Sequence, residues 1–288
     1  MRTWLKTAAA RAYAATGGLR RRHKGRLVIL TFHRIRPDGE PAAGRPMRSL
    51  EVAVSDFRRM LTWMRNRYRP LALSDWLEGG VPPECASFAV TFDDGWADNF
   101  DVAFPVLREL GIPATVFVST DAVENRVPFW WQTAGLPDEE IEGCKASPPG
   151  TVGARDAVEA AAREFLTWDQ IREMGASGLV RFGPHGHRHL LLDGVSREEA
   201  LADLRACLEL LQQRIPEWSL PLLAWPNGNV REDLGAELTA MGLQAAAGTG
   251  PGAAGAVGNT RWNLPRNNVD RRLAAMPGLW PWLLLRAR

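Results

Sequence analysis

Several features that would place the chain at once in a secreted or membrane class are scarce or missing. Cysteine is rare: Cys85, Cys144 and Cys207 are far apart and odd in number, so they make neither a disulfide framework nor a CxxC metal pattern. A reducing compartment is the simpler inference. Long apolar runs are missing too, since no stretch approaches the roughly 20 apolar residues that span a bilayer. Residues 1–18 place Arg2, Lys6 and Arg11 among alanines, so no signal peptide is read there. The expected location is the cytoplasm, soluble or peripheral at the inner membrane face. An excess of charge of one sign is lacking as well: the formal net charge is +2, and no nucleic-acid partner is expected. There is no internal repeat, no linker that would divide the chain in two, and no histidine beyond His189.

What is present fits one globular domain. The 288 residues, 45% hydrophobic and 24% charged, are enough for a single large core. A basic cluster (Arg20, Arg21, Arg22, Lys24, Arg26) reads either as a contact for phosphate or a membrane surface, or as a solvated turn. Residues 1–26 are taken as a basic helical extension, 27–275 as the main domain and 276–288 as an apolar and basic tail. The tail's tryptophans, leucines and arginines suit an interfacial anchor or a segment docked on the core.

Strands alternate with helices, which predicts a parallel α/β fold. Strands are expected at Leu27–Thr31, Phe88–Phe92, Ala114–Ser119, Leu179–Gly183 and Leu220–Trp225. Helices are expected at Val54–Arg67, with Phe57, Met60, Leu61 and Met64 on one face, and at Phe104–Leu110, Trp168–Met174 and Arg197–Gln213. Residues 122–164 break the rhythm and read as an inserted, partly mobile loop or lid. The Gly- and Ala-rich stretch Ala245–Gly258 reads as a flexible loop.

Three short stretches carry chemistry. In Thr91-Phe92-Asp93-Asp94-Gly95, two carboxylates end an apolar strand. Side chains alternate along a strand, so a bend there is needed for one to hold a metal while the other faces substrate; a solvated turn is the bland alternative. In His185-Gly186-His187-Arg188-His189, three of the chain's five histidines fall within five residues. The i,i+4 pair His185 and His189 would share a face in a helical turn, as zinc sites require, and His187 would point elsewhere. Ala224-Trp225-Pro226-Asn227-Gly228 is by itself a turn.

Together these stretches resemble the polysaccharide deacetylases with a NodB-homology domain, over roughly residues 27–270. Thr91–Gly95 matches the first motif without change. His185 to His189 matches the second, with Gly186 in place of the usual Ser or Thr, and Pro226-Asn227-Gly228 matches the third. Phe104–Val118 is also similar. The resemblance implies a distorted, incomplete (β/α) barrel of about seven strands, with its site at the strands' C-terminal ends. It implies Asp94, His185 and His189 as ligands of one divalent metal, most simply zinc, with Asp93 as general base. The Asn227 N–H would help hold the oxyanion, and Arg266 would pair with Asp93. The family's C-terminal histidine acid has no counterpart here. His33 takes that place, similar to an N-terminal histidine in members linked to exopolysaccharide synthesis; otherwise it is a satisfied strand-end residue. Trp130, Trp131, Trp225 and Pro226 are candidates for contact with sugar, the tryptophans being equally readable as core.

The implied substrate is an N-acylated amino sugar in a polysaccharide or a lipid-linked glycan. A sugar deformylase or a non-sugar amidase would use the same residues. A metal-free carbohydrate-binding module is a further alternative, against which stands the presence of Asp93, Asp94, His185 and His189 together.

Overall fold

The computed structural model describes residues 2–40, 47–133, 140, 155–255 and 261–287. Ten short strands, all paired in parallel, are found among the described residues. In chain order the strands are β1 (Arg26–Phe32), β2 (Arg34–Arg36), β3 (Glu51–Ala53), β4 (Arg69–Pro70), β5 (Ala86–Phe92), β6 (Ala114–Val118), β7 (Val180–Pro184), β8 (Leu222–Ala224), β9 (Ala245–Ala247) and β10 (Asn267–Asn268). The main sheet runs β10-β1-β5-β6-β7, with β4 beside the lower half of β5. β8 and β9 form a separate parallel pair. Single bridges join that pair to the sheet on either side, Phe182 with Ser219 and Ala247 with Leu264. The result is a distorted barrel with two thin seams, in line with the expected incomplete (β/α) barrel. β2 and β3 make a small outlying parallel pair.

Strand periodicity decides what faces inward. Leu27 and Ile29 of β1, Ala89 of β5, Phe117 of β6, Leu222 and Ala224 of β8, and Ala245 and Ala247 of β9 pack in the inner cluster. Their neighbours Val28, Leu30, Phe32, Phe88, Val90 and Phe92 face outward onto helices. The helix Val54–Arg65 covers that outer face with Phe57, Met60, Leu61 and Met64, and Phe57 meets Phe32 edge-on at 5.0 Å. Counting on by twos from the inner positions, His33 follows Thr31, Asp93 follows Thr91, and His185 follows Gly183. The alternation that builds the core therefore delivers these three residues to the barrel mouth.

Two expectations about elements need correction, and a third segment, left open between two readings, is placed. Ala245–Ala247 is a strand with all three alanines fully buried; it pairs in parallel with β8, with Ala245 and Ala247 in the inner cluster and Ala246 packed on the other face. His185 to His189 is a bend, with Gly186 at φ 76° and His189 at φ 55°. The C-terminal segment docks on the core: Trp280, Leu283 and Leu284 are buried, and Trp280 meets Trp63 at 5.7 Å. At and within the expected 122–164 insertion, helices occupy Thr120–Glu124, Trp130–Thr133 and Arg155–Ala162; residues 134–139 and 141–154 of that expectation lie outside the described residues. Cys85 and Cys207 are free thiols, and Cys144 is not among the described residues. No helix among the described residues is long and apolar enough to cross a membrane.

Candidate active site

A cavity of about 490 Å³ opens at the C-terminal ends of the strands, and His33, Asp93, Asp94, Trp130, Trp131, His185, His189 and Asn227 all contribute to its wall. Residues from five separate parts of the sequence thus meet in one place. Three predicted members do not line it: Arg266 is held behind Asp93, and Trp225 and Pro226 lie elsewhere. Trp225 is fully buried and donates its indole N–H to Trp262 O at 2.8 Å, so no sugar face can reach it. Pro226 is buried and does not line the cavity; its ring lies under the Gly186 turn. Both belong to the scaffold of the third motif, a correction of the expected sugar contacts.

The two adjacent carboxylates part company as required. Asp93 continues the inner register of β5, while Asp94 adopts φ 78° and turns toward His185 and His189. Asp94 Oδ1 lies 3.4 Å from His185 Nε2 and 3.2 Å from His189 Nε2. Its other oxygen, Oδ2, accepts the Trp96 indole N–H at 2.8 Å. His185 Nδ1 donates to the carbonyl of Ala224 at 2.8 Å, which leaves Nε2 bare in the neutral ring. The described side chains therefore point an acceptor oxygen and a ring nitrogen lone pair at each other, an arrangement that demands positive charge between them. Without a metal, protons supply it. Burial disfavours charge on His185, but Asp93 and Asp94 outweigh it and raise its pKa. Burial likewise opposes ionisation of Asp94, yet hydrogen bonds from His185 and His189 hold its carboxyl well below the usual range.

A divalent ion answers the same demand. Asp94, His185 and His189 offer one ligand atom each, all within 4.8 Å of one another. Two atoms bound at about 2.0–2.1 Å in a tetrahedral zinc site lie roughly 3.3 Å apart, close to the separations found here. The donor set of two imidazoles and one carboxylate leaves a face open to the cavity, so the residues fit such an ion.

Asp93 is held differently. Arg266, fully buried, donates from both terminal nitrogens to the two Asp93 oxygens at 2.6 and 2.8 Å, and from Nε to Gly248 O at 2.8 Å. Its guanidinium lies 5.3 Å from the Phe117 ring centre. Burial pushes the Asp93 carboxyl up, but Arg266 and His185 outweigh it and the net shift is downward. His33 is also desolvated, which lowers its pKa against the pull of Asp94 and Asp93. Its Nδ1 is buried with no partner among the described residues. His187 points away as expected, its Nδ1 at 2.9 Å from Thr120 Oγ1.

Sequence reasoning missed the supports. Trp96 orients Asp94 and is itself stacked on Phe165 at 4.7 Å, with the Arg34 guanidinium 4.3 Å from its ring centre. Arg34 is bound to Asp98 and Glu164. Asp98 also accepts the Ile35 N–H, and Asn99 donates to His33 O, so this buried network fixes the turn that carries His33. The available signal was an aromatic and two polar residues just past Gly95, where the first helix of the unit had yet to begin. Gly228 is needed for its φ of 75° and because a Cβ would meet Thr249 Oγ1 at 2.1 Å.

A distorted barrel with a buried Asp-His-His cluster and an Arg-clamped aspartate at its mouth defines a hydrolase-type site suited to a metal ion. The polysaccharide deacetylase family model matches residues 80–246, more than half of the sequence. The chain belongs to the polysaccharide deacetylase family. It is 23% identical over 233 residues to the putative polysaccharide deacetylase YxkH of Bacillus subtilis, covering 80% of this chain and 66% of the relative. It is 26% identical over 168 residues to the poly-beta-1,6-N-acetyl-D-glucosamine N-deacetylase of Escherichia coli, covering 57% of this chain and 21% of that one. The chain thus spans just under two thirds of the first relative and about one fifth of the second. Among solved structures, the Streptococcus pyogenes deacetylase PplD in complex with acetate shares the fold, with a TM-score of 0.64 and 20% identity over 91% of this chain and 97% of that one. IcaB from Ammonifex degensii gives a TM-score of 0.62 and 20% identity, with the same coverage.

Proposed function

We propose that the chain is a metal-dependent N-deacetylase acting on an amino sugar within a glycan. The observation that carries this reading is the convergence of Asp94 Oδ1 with the two Nε2 atoms of His185 and His189, beside an Asp93 held by Arg266. When bound by Asp94, His185 and His189, a divalent ion, most simply zinc, supplies Lewis acidity toward an amide carbonyl and toward water. Asp93 is the base that receives the proton of the attacking water, kept ionised and aimed by Arg266. The Asn227 backbone N–H donates to the developing oxyanion, a contribution of roughly 3–4 kcal/mol for one such donor. His33 delivers a proton to the departing amine, without which that group leaves poorly. Trp130 and Trp131 offer ring faces to the sugar at the cavity wall.

The similarity to a poly-N-acetylglucosamine deacetylase and the apolar part of the wall, Leu50, Leu190, Leu191 and Val195 among it, leave two substrate forms in view. One is an amino-sugar polymer; the other is a lipid-linked glycan met at the inner membrane face by a cytoplasmic enzyme. Acetate release from N-acetylglucosamine oligomers by the purified protein, lost in Asp94→Ala, is the expected result. Release unaffected by that substitution would defeat the proposal, and formate release from N-formyl sugars in its place would redirect it to a deformylase.

A further inference from the structure

Two of the three proposed metal ligands sit on one short loop, and this loop lacks a hydroxyl side chain at Gly186. The support comes instead from another element. Asp203 lies on the helix Arg197–Arg214, on the face that also buries Ala200, Leu204, Cys207 and Leu211. A carboxylate in such a stripe is unfavourable unless its lone pairs are used. Here they are. Asp203 is 3% exposed; its Oδ2 accepts the His187 N–H at 2.7 Å, and its Oδ1 accepts the Arg188 N–H at 3.1 Å and Arg188 Nε at 3.3 Å. Two successive backbone donors between the two ligands therefore end on one buried carboxylate.

Gly186 and Asp203 are matched. Gly186 has φ 76°, and a Cβ on it would lie 2.8 Å from Asp203 Oδ2. The residue that removes the hydroxyl also makes room for the carboxylate. From the opposite side, the loop is held by the helix Thr120–Glu124: Thr120 N–H donates to Gly186 O at 3.3 Å and Asp121 N–H to His187 O at 2.9 Å. The loop's carbonyls and its amides are thus gripped by different helices. Removing Asp203 would loosen the loop on one side without releasing it on the other.

We infer that Asp203 is the positioning residue of the ligand loop, fixing the backbone at His187 and Arg188 so that His185 and His189 meet Asp94 at ligand spacing. This rests on the metal reading of the triad, and the experiment separates the two. Zinc affinity of the full chain is measured by competition with a chromogenic chelator, alongside melting of the metal-free protein. The comparison covers the wild type, Asp203→Asn, Asp203→Ala, Glu199→Gln and His185→Ala.

Loss of a residue that orients a ligand costs roughly 10–100-fold in affinity. Asp203→Asn keeps the shape but turns an amide group toward one of the two N–H donors, and is expected near the lower end of that range. Asp203→Ala is expected near the upper end. Glu199→Gln, whose carboxylate touches only the exposed end of Arg188, is expected to bind within twofold of wild type. Turnover of the two Asp203 variants should recover at saturating zinc with KM unchanged. Asp203 variants that bind zinc within twofold of wild type would overturn the inference and leave the metal site standing. Should Asp203→Ala not fold, Asp203→Asn decides alone. A wild type with no tight zinc, or His185→Ala binding as wild type does, would overturn the metal reading and this inference with it.

Discussion

At the residue scale, the pair of Asp93 and Arg266 shows how one contact can serve stability and chemistry together. Both are buried, and breaking such a pair by removing one partner leaves an uncompensated charge, at a cost of about 3–5 kcal/mol. Arg266→Gln is therefore expected to lower stability by that order in a denaturant titration. Its effect on pH dependence has a definite sign. A base works ionised, and the folded carboxyl, against the cost of burial, is depressed chiefly by Arg266, so the wild type keeps Asp93 charged below the usual carboxylate range. Without Arg266, burial dominates and raises the pKa, so the acid limb of the kcat/KM profile should move to higher pH. A limb that stays in place would mean that Asp93 is not the base. At the same scale, His33→Ala should reduce turnover by roughly 10²–10⁴ while metal content is unchanged. Turnover near that of wild type would return His33 to the role of a packed strand-end residue.

At the scale of elements, legibility in the sequence followed side-chain size and periodicity. The helix Phe104–Leu110 has the bounds expected for it, and the strand ending at Phe92 is one run of bulky side chains closed by charges. β9 carries no such signal: three alanines followed by glycine lie at the low end of strand preference, and it is pairing with β8 that makes them a strand. Spacing singled out the histidine pair, which the structure brings to Asp94, but by a bend and not a helical turn, because Gly186 and His189 reach the left-handed region, which residue order does not reveal. Trp225 was misassigned for a related reason, since burial of an aromatic next to a motif depends on the neighbouring strands.

The terminal elements carry a testable pH effect. His23 is fully buried, its Nε2 donating to Ala287 O at 2.9 Å and its Nδ1 accepting from Tyr68 OH at 2.9 Å, so it ties the C-terminal segment to the body. Burial lowers its pKa, only partly offset by the bond to Ala287. The unfolded chain then binds the proton more readily, and stability is expected to fall as pH drops below about 6.5, the ordinary histidine value. His23→Gln should flatten that part of the stability curve. A wild-type curve that is already flat between pH 7 and 5 would contradict the argument.

At the scale of the whole molecule, the proposed ion would act as a staple across the barrel. Asp94 follows β5, whereas His185 and His189 follow β7, with β6 lying between those strands. The seams on either side of the β8–β9 pair are single bridges, so the mouth is not closed by continuous backbone pairing. An ion joining the β5 and β7 ends would restrain that mouth, and it would bind the folded chain alone because its ligands lie about 90 residues apart in the unfolded one. Zinc at a free concentration 100 times its dissociation constant should then add about 2.7 kcal/mol. For a chain of this size that corresponds to a rise in melting temperature of several degrees, roughly 2–4 °C for each kcal/mol. The check is calorimetry with zinc and with a chelator, on the wild type and on Asp94→Ala. The wild type should melt higher with zinc and lose the gain to the chelator, while the variant should melt at one temperature in both. An equal response from the two proteins would mean that zinc acts elsewhere on the fold, and that the Asp94, His185 and His189 cluster is held together by shared protons alone.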